Sequence, residues 1–190
     1  MNITFDTTNI KIETARLALR PFVESDLDDL YAYASVKGVG EMAGWPHHKS
    51  IEESRKILHM FMRDKNVLAI FHKCDKKVIG SIGLHPSWAN KDDRYKHLKL
   101  LELGYALSKD CWGQGIVAEA SKVVIDYCFD RLGLEAIASC HFVENSQSKR
   151  VLEKLGFGLV GKGTYHSTQL NKNFDSLRYI LMNRGANREI

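Results

Sequence analysis

The chain holds only three prolines in 190 residues, no C-x-x-C pair among its four cysteines, and no run of 18 apolar residues. So little proline leaves no room for a collagen-like or proline-rich linker architecture. Cys74, Cys111, Cys128 and Cys140 stand singly, in or beside apolar runs. They read as reduced, mostly buried thiols rather than as a disulfide framework or a zinc site. Without a long apolar stretch no membrane span is expected, and the opening MNITFDTTNIKIE lacks the basic and apolar regions of a signal peptide. A cytoplasmic location follows as the expectation. The formal charge of +4 is spread along the chain; with no recognition-helix or finger pattern beside it, an anionic small molecule suits it better than nucleic acid. His47 and His48 lack further ligand-spaced partners, so no metal site is expected.

What is present is globular: 44% hydrophobic and 26% charged residues, with neither an internal repeat nor a low-complexity linker. One domain over 1–190 is expected, its core spanning about 12–182. Arg16 to Phe22 alternates as a first strand. Ser25 is expected to cap a short helix with Leu27, Leu30, Tyr31 and Ala34 inward, and Ser50 with Glu53 reads as a capping box opening a second. Strands follow over Asn66 to His72, Val78 to Leu84 and Leu98 to Leu107, then a long helix from Ile116. A strand at Leu134 to Phe142, a helix over SQSKRVLEKL and two strands, Phe157 to Thr164 and Phe174 to Met182, complete the chain. This order predicts an α/β protein with a mixed, mostly antiparallel sheet of six to seven strands flanked by about four helices.

The most informative segment runs from Tyr105 to Ala120, where a strand enters a glycine-containing turn and opens a helix. The first amides of a helix have no intrahelical partner and sit at the positive end of its dipole. Gly113 and Gly115 let the main chain approach an anion closely and adopt positive φ. G-Q-G-I-V-A also fits a dinucleotide pattern, with Glu135 about 20 residues on as the ribose acid. That acid would stand at the start of its strand, though, and the turn comes late in the chain. The nucleoside-triphosphate P-loop pattern fails, since no Lys-Ser or Lys-Thr follows the glycine.

Three motifs in order, T-x-R-L-x-L-R at Thr14 to Arg20, E-L-G-Y-A-L-x-x-x-x-W-G-Q-G-x-x-x-E-A at Glu102 to Ala120, and E-N-x-x-S-x-R-V-L-E-K-L-G-F at Glu144 to Phe157, resemble the GNAT superfamily of N-acetyltransferases. Within it the chain is similar to the ribosomal-protein N-terminal acetyltransferase-like (RimJ/RimL-like) branch. The resemblance implies the GNAT fold and acetyl-CoA as cosubstrate, its pyrophosphate cradled by the amides of Gly113, Gln114, Gly115, Ile116, Val117 and Ala118. Trp112 takes the first, usually polar, position of the loop pattern, and Val117 stands where a smaller residue is usual. Backbone groups of Leu103, Tyr105 and Leu107 would receive the pantetheine arm and stabilise developing negative charge, with a bulge expected at Gly104. Asn145 would contact the pantetheine and Lys149 the phosphates.

An alkyl amine is almost wholly protonated near pH 7, so its nitrogen must lose a proton before it can attack. Glu102, a carboxylate in an otherwise apolar strand, is the expected base; the alternatives are that it faces solvent or pairs with a lysine. His85 is a second candidate. The tyrosine that many family members use to protonate the leaving thiolate is replaced by Leu152, and the branch places Ser148 in that role; Asn145 and Ser148 are equally good helix-start residues. Trp45 and His85 fall where an acceptor pocket is expected. The acceptor is open between a protein N-terminus and a small-molecule amine, as is homodimerisation. The alternative functions are a non-catalytic acyl-CoA-binding partner module and, behind it, a dinucleotide-binding domain.

Overall fold

The computed structural model describes residues 5–183 and Gly185; residues 1–4 of the segment read for a signal peptide lie outside them. Strands β1 (Ile12–Glu13), β2 (Leu17–Pro21), β3 (Val67–His72), β4 (Lys77–His85), β5 (Leu100–Leu107), β6 (Ala136–Phe142), β7 (Gly158–Ser167) and β8 (Lys172–Met182) form one sheet in the order β1-β2-β3-β4-β5-β6-β8-β7. Every neighbouring pair is antiparallel except β5 and β6. The mixed, mostly antiparallel sheet is therefore as the element order implies, with one strand more than expected. The extra strand, β1, is two residues long and held by pairing with β2 at Ile12↔Leu19, too short to carry a period of its own.

The central strands are covered on both faces, which explains their unbroken apolar runs. Val67 and Ala69 of β3 pack with α1 (Leu27–Ala34) and α2 (Ile51–Asp64), whereas the intervening Leu68 and Ile70 join the cluster beneath α3 (Ile116–Asp130). Period-two alternation thus feeds two cores from one strand. The fourth helix, α4 (Ser146–Lys154), sends Leu152 into the second of these cores, fully buried.

Two local readings need correction. Ser25 is not a cap: a 3-10 turn over Glu24–Asp26 precedes α1, and the Asp26 carboxylate accepts the Val23 N–H at 2.9 Å while Arg20 holds it from two nitrogens at 2.7 and 2.8 Å. This early turn rotates the helix so that Tyr33, not Tyr31, enters the core with Leu27, Leu30 and Ala34. At α2 the Ser50 hydroxyl accepts the Glu53 N–H at 3.3 Å, but the Glu53 carboxylate accepts from Lys49 rather than closing the box on Ser50.

The functional geometry comes from a fork in the sheet. Strands β5 and β6 pair only from Leu100↔Ala136 to Glu102↔Ala138. Beyond that, β5 stays with β4 up to Gly80↔Leu107 and β6 stays with β8 down to Phe142↔Ser176, so the sheet's twist carries the two apart. At the crotch the Ser139 hydroxyl donates to the Leu103 carbonyl at 2.9 Å. Leu103 therefore aims its main-chain polar groups toward β6, and by strand alternation Tyr105 aims its N–H and C=O into the open gap. No bulge occurs at Gly104, where the β4–β5 register runs on uninterrupted; the register shifts lie between Ile70 and Phe71 of the β3–β4 pair and between Leu159 and Gly161 of the β7–β8 pair. Gly104 instead faces Gly83 across the ladder, leaving a bare floor.

Candidate active site

Two cavities meet at this fork. The smaller, about 360 Å³, lies between the end of β5, the start of α3 and one face of α4. The larger, about 570 Å³, lies over β4, β5, β6 and β8. Met42, Ala43, Tyr105, Ala106, Asn145 and Ser148 line both, so the two volumes share a wall at the gap.

The smaller cavity opens on an uncapped helix start. Gly115 precedes α3 at φ +74° and no side chain caps it; Gly113 is also left-handed, at φ +77°. A Cβ on Gly113 would meet nothing within 4 Å, and one on Gly115 only Arg16 Nη2 at 4.0 Å, so positive φ rather than crowding demands glycine here. The Trp112 indole donates to the Leu107 carbonyl at 2.9 Å, tying the turn to the strand end. Val117, bulkier than usual at its position, is accommodated in the core at 8% exposure. Leu107, Ile116 and Ala118 complete this wall.

The first and second motifs are physically one device. Thr14 Oγ1 donates to Glu119 Oε1 at 2.5 Å, Arg16 Nε donates to Glu119 Oε2 at 2.7 Å, and Arg16 Nη1 donates to the Gln114 carbonyl at 3.1 Å. Burial works to raise Glu119, but the bonds from Thr14 and Arg16 outweigh it and leave the carboxyl below its ordinary value. The acid in the first turn of α3 is thereby neutralised, and the loop carbonyl is held away from the cavity. Gln114 itself is exposed, its carboxamide donating to the Asp110 carbonyl, and it lines neither cavity.

Helix α4 presents Gln147, Arg150, Val151 and Lys154 to the smaller cavity. Lys149 is not on that face: it is exposed, 3.8 Å from Glu153, and outside both cavities. The spacing of the lining residues, three or four apart, is the helical period, and applied to SQSKRVLEK it singles out Arg150 and Lys154. Asn145 is buried, accepting the Ser148 N–H at 3.0 Å and donating to the Met42 carbonyl at 3.3 Å. It both caps α4 and holds the loop that walls the two cavities. The cap uses the Ser148 amide, which leaves the Ser148 hydroxyl available.

In the larger cavity Glu102 sits opposite His85 across the ladder. Its Oε1 accepts the Cys140 thiol at 3.2 Å, and its Oε2 accepts the Ser87 hydroxyl at 3.1 Å and the Trp88 N–H at 3.4 Å. A carboxylate has about four acceptor sites, so these donors fix the group and leave it capacity for one more bond. No lysine pairs with it among the described residues. His85 receives the Asn66 amide on Nδ1 at 3.2 Å, which puts its proton on Nε2, and burial lowers its pKa. Both ring nitrogens are then occupied, which disfavours it as a proton acceptor. Leu103, expected on the coenzyme side, is buried and borders the larger cavity instead; Trp45, expected at the acceptor pocket, also borders the larger cavity.

The Tyr105 hydroxyl is buried with no hydrogen-bond partner among the described residues; burial pushes it up to about 12, with the neighbouring Ser148 hydroxyl working the other way. Burial likewise raises Cys111 beside the smaller cavity, and burial followed by Glu102 raises Cys140. Glu135, the acid a dinucleotide site would require, accepts the Lys99 N–H at 2.7 Å and lines neither cavity. Among the described residues no group of three or more His, Cys, Asp or Glu could hold a metal ion, and no helix is long and apolar enough to cross a membrane.

A family model described as an acetyltransferase (GNAT) domain matches residues 16–158. The uncharacterized N-acetyltransferase YoaA of Bacillus subtilis is 29% identical over 176 residues, covering 90% of this chain and 96% of its own. The crystal structure of a GNAT-family acetyltransferase from Bacillus anthracis superposes with a TM-score of 0.78 at 20% identity, covering 91% of this chain and 98% of that one. The microcin C7 self-immunity acetyltransferase MccE, solved in complex with acetyl-CoA and AMP, superposes with a TM-score of 0.73 at 20% identity, covering 90% and 94%.

Proposed function

Because the chain belongs to the acetyltransferase (GNAT) family, whose members use acetyl-CoA and act on amines, we propose that it acetylates a primary amine by direct attack, with the coenzyme in the smaller cavity and the acceptor in the larger. The observation that carries this reading is the shared wall at the β5–β6 gap, with an uncapped helix start on one side and an anchored carboxylate on the other.

The residues present fit the coenzyme. Amides from Gly113 to Ala118 offer unpartnered donors at a positive dipole end, and Arg150 and Lys154 add charge for its phosphates. Bound there, acetyl-CoA supplies the activated acyl group. Glu102 takes the ammonium proton of the acceptor, since it alone in the larger cavity combines fixed position with a free acceptor site. The Tyr105 N–H, aimed into the gap, meets negative charge developing on a carbonyl oxygen. Ser148, between the cavities, holds a proton for the leaving sulfur, the role Leu152 cannot fill from the core. An acylated cysteine is disfavoured because the Cys111 and Cys140 thiols are both raised, and a thiol that keeps its proton is a poor nucleophile.

Two outcomes follow here. Ser148→Ala leaves the helix cap intact, so kcat should fall at least roughly tenfold while calorimetric affinity for acetyl-CoA stays the same; an unchanged kcat removes the hydroxyl from the chemistry. Arg16→Ala frees the Glu119 carboxylate beside the helix start. Loss of a charge-assisted bond worth about 1.5 kcal/mol corresponds to roughly a tenfold rise in the acetyl-CoA Kd, and an unaltered Kd means that the Thr14–Arg16–Glu119 cluster only packs the fold. The test of the whole reading is a thiol-release screen with pure protein over primary amines and N-terminal peptides. Binding of acetyl-CoA without thiol release from any acceptor would leave only the partner-module reading.

A further inference from the structure

The larger cavity carries a cation that the chemistry above does not use. Arg178 of β8 lines it, and among the described residues its guanidinium has neither an ion pair nor a hydrogen bond. The nearby acid Asp92 is engaged elsewhere: Arg94 grips it from two nitrogens, at 3.0 and 2.8 Å. Glu102 is the acid that lines this cavity, and Cys140 connects the two groups, paired with Arg178 across β6 and β8 and bonded to Glu102 through its thiol.

The guanidinium is nonetheless held in place. It lies over the Trp88 ring at 4.9 Å, and Trp88 is braced edge-on by Tyr95 at 6.1 Å and 89°. Gly163 makes room for it, since a Cβ there would run into Arg178 Nε. Contact with the ring face holds the group while its N–H donors stay unpaired among the described residues, and a guanidinium with free donors binds carboxylates and phosphates through two parallel bonds. A second feature points the same way. Among the described residues the Trp88 indole N–H is buried without a partner, and a buried donor left unsatisfied is costly. The cavity therefore has a carboxylate at Glu102 and, across Cys140, a guanidinium and an indole N–H that are both without a partner among the described residues.

We propose that Arg178 anchors an anionic group, carboxylate or phosphate, carried by the amine acceptor. The substrate class is then an amine bearing an acid, its nitrogen toward Glu102 and its anion on the guanidinium, with the Trp88 indole as an added donor. The identity of the nitrogen end rests on the acetyl-transfer reading; the anion site does not.

The test compares 4-aminobutyrate and 3-aminopropyl phosphate with 4-aminobutanol, 3-aminopropanol and 1,4-diaminobutane, by thiol release and by direct binding followed through tryptophan fluorescence. The wild type should prefer the anionic member of each pair at least roughly tenfold in kcat/KM, and Arg178→Gln should erase that preference. Arg178→Glu should turn it toward the diamine, and Arg178→Lys should keep part of it; thermal melting establishes that each variant is folded. Which of the two acids binds better separates carboxylate from phosphate. A wild type that favours neutral or cationic amines, or a preference that survives Arg178→Gln, overturns the proposal while leaving acetyl transfer intact. If no amine releases thiol, Arg178-dependent binding of the acids upholds the anchor as the transfer reading falls, and absence of that binding overturns both.

Discussion

Gly115→Glu should abolish measurable acetyl-CoA binding, raising the calorimetric Kd at least roughly a hundredfold. Two effects combine. A non-glycine residue at φ +74° is strained by about 1–2 kcal/mol, and the new carboxylate stands where a diphosphate would meet the start of α3. Gly115→Ala separates them, because its Cβ meets only Arg16 Nη2 at 4.0 Å and it carries the strain without the charge. Alanine should weaken binding by roughly tenfold, glutamate by far more. Equal losses in the two variants would mean that loop shape, not anion recognition, governs the site.

Glu102→Gln should lower kcat/KM by roughly a hundredfold or more with acetyl-CoA affinity unchanged, the magnitude expected when a positioned base is removed. Glutamine matches the shape; with its oxygen toward Ser87 and Trp88 its NH2 meets the Cys140 sulfur, a weak acceptor, so the loss would report proton transfer rather than collapse of the pocket. The pH profile sharpens the test. Without a base the reaction depends on amine that is already neutral, whose fraction rises about tenfold per pH unit below the amine's own pKa. The variant's residual rate should climb steeply with pH toward that value. A variant as fast as the wild type would pass the role to a water chain.

The sheet and its helices were legible because burial imposes periods: β3 reads as a strand buried on both faces, and α3 follows its glycine turn. What the sequence concealed was geometry between elements. The fork after Glu102↔Ala138 leaves no mark in either strand, because β5 and β6 each remain fully paired on their other side. Gly104 suggested a bulge, but glycine serves equally to keep a floor bare. Lys149 and Arg150 are adjacent in sequence, and only the phase of α4 against the fold decides that Arg150 and Lys154 face the cavity. The Arg16–Glu119 staple joins two motifs 103 residues apart, and Arg178 lies in a strand whose alternation predicts burial but not the aromatic ring it rests on. Local chemistry was readable; convergence was not.

The central claim is that the turn from Gly113 to Ala118 holds a diphosphate while the β5–β6 gap receives the acyl arm. A crystal structure of the protein with CoA tests it directly. The diphosphate oxygens should lie within hydrogen-bond distance of the amides at the start of α3, with the thiol reaching the wall shared by Tyr105 and Ser148. CoA bound elsewhere, with that helix start facing only solvent, would contradict the account.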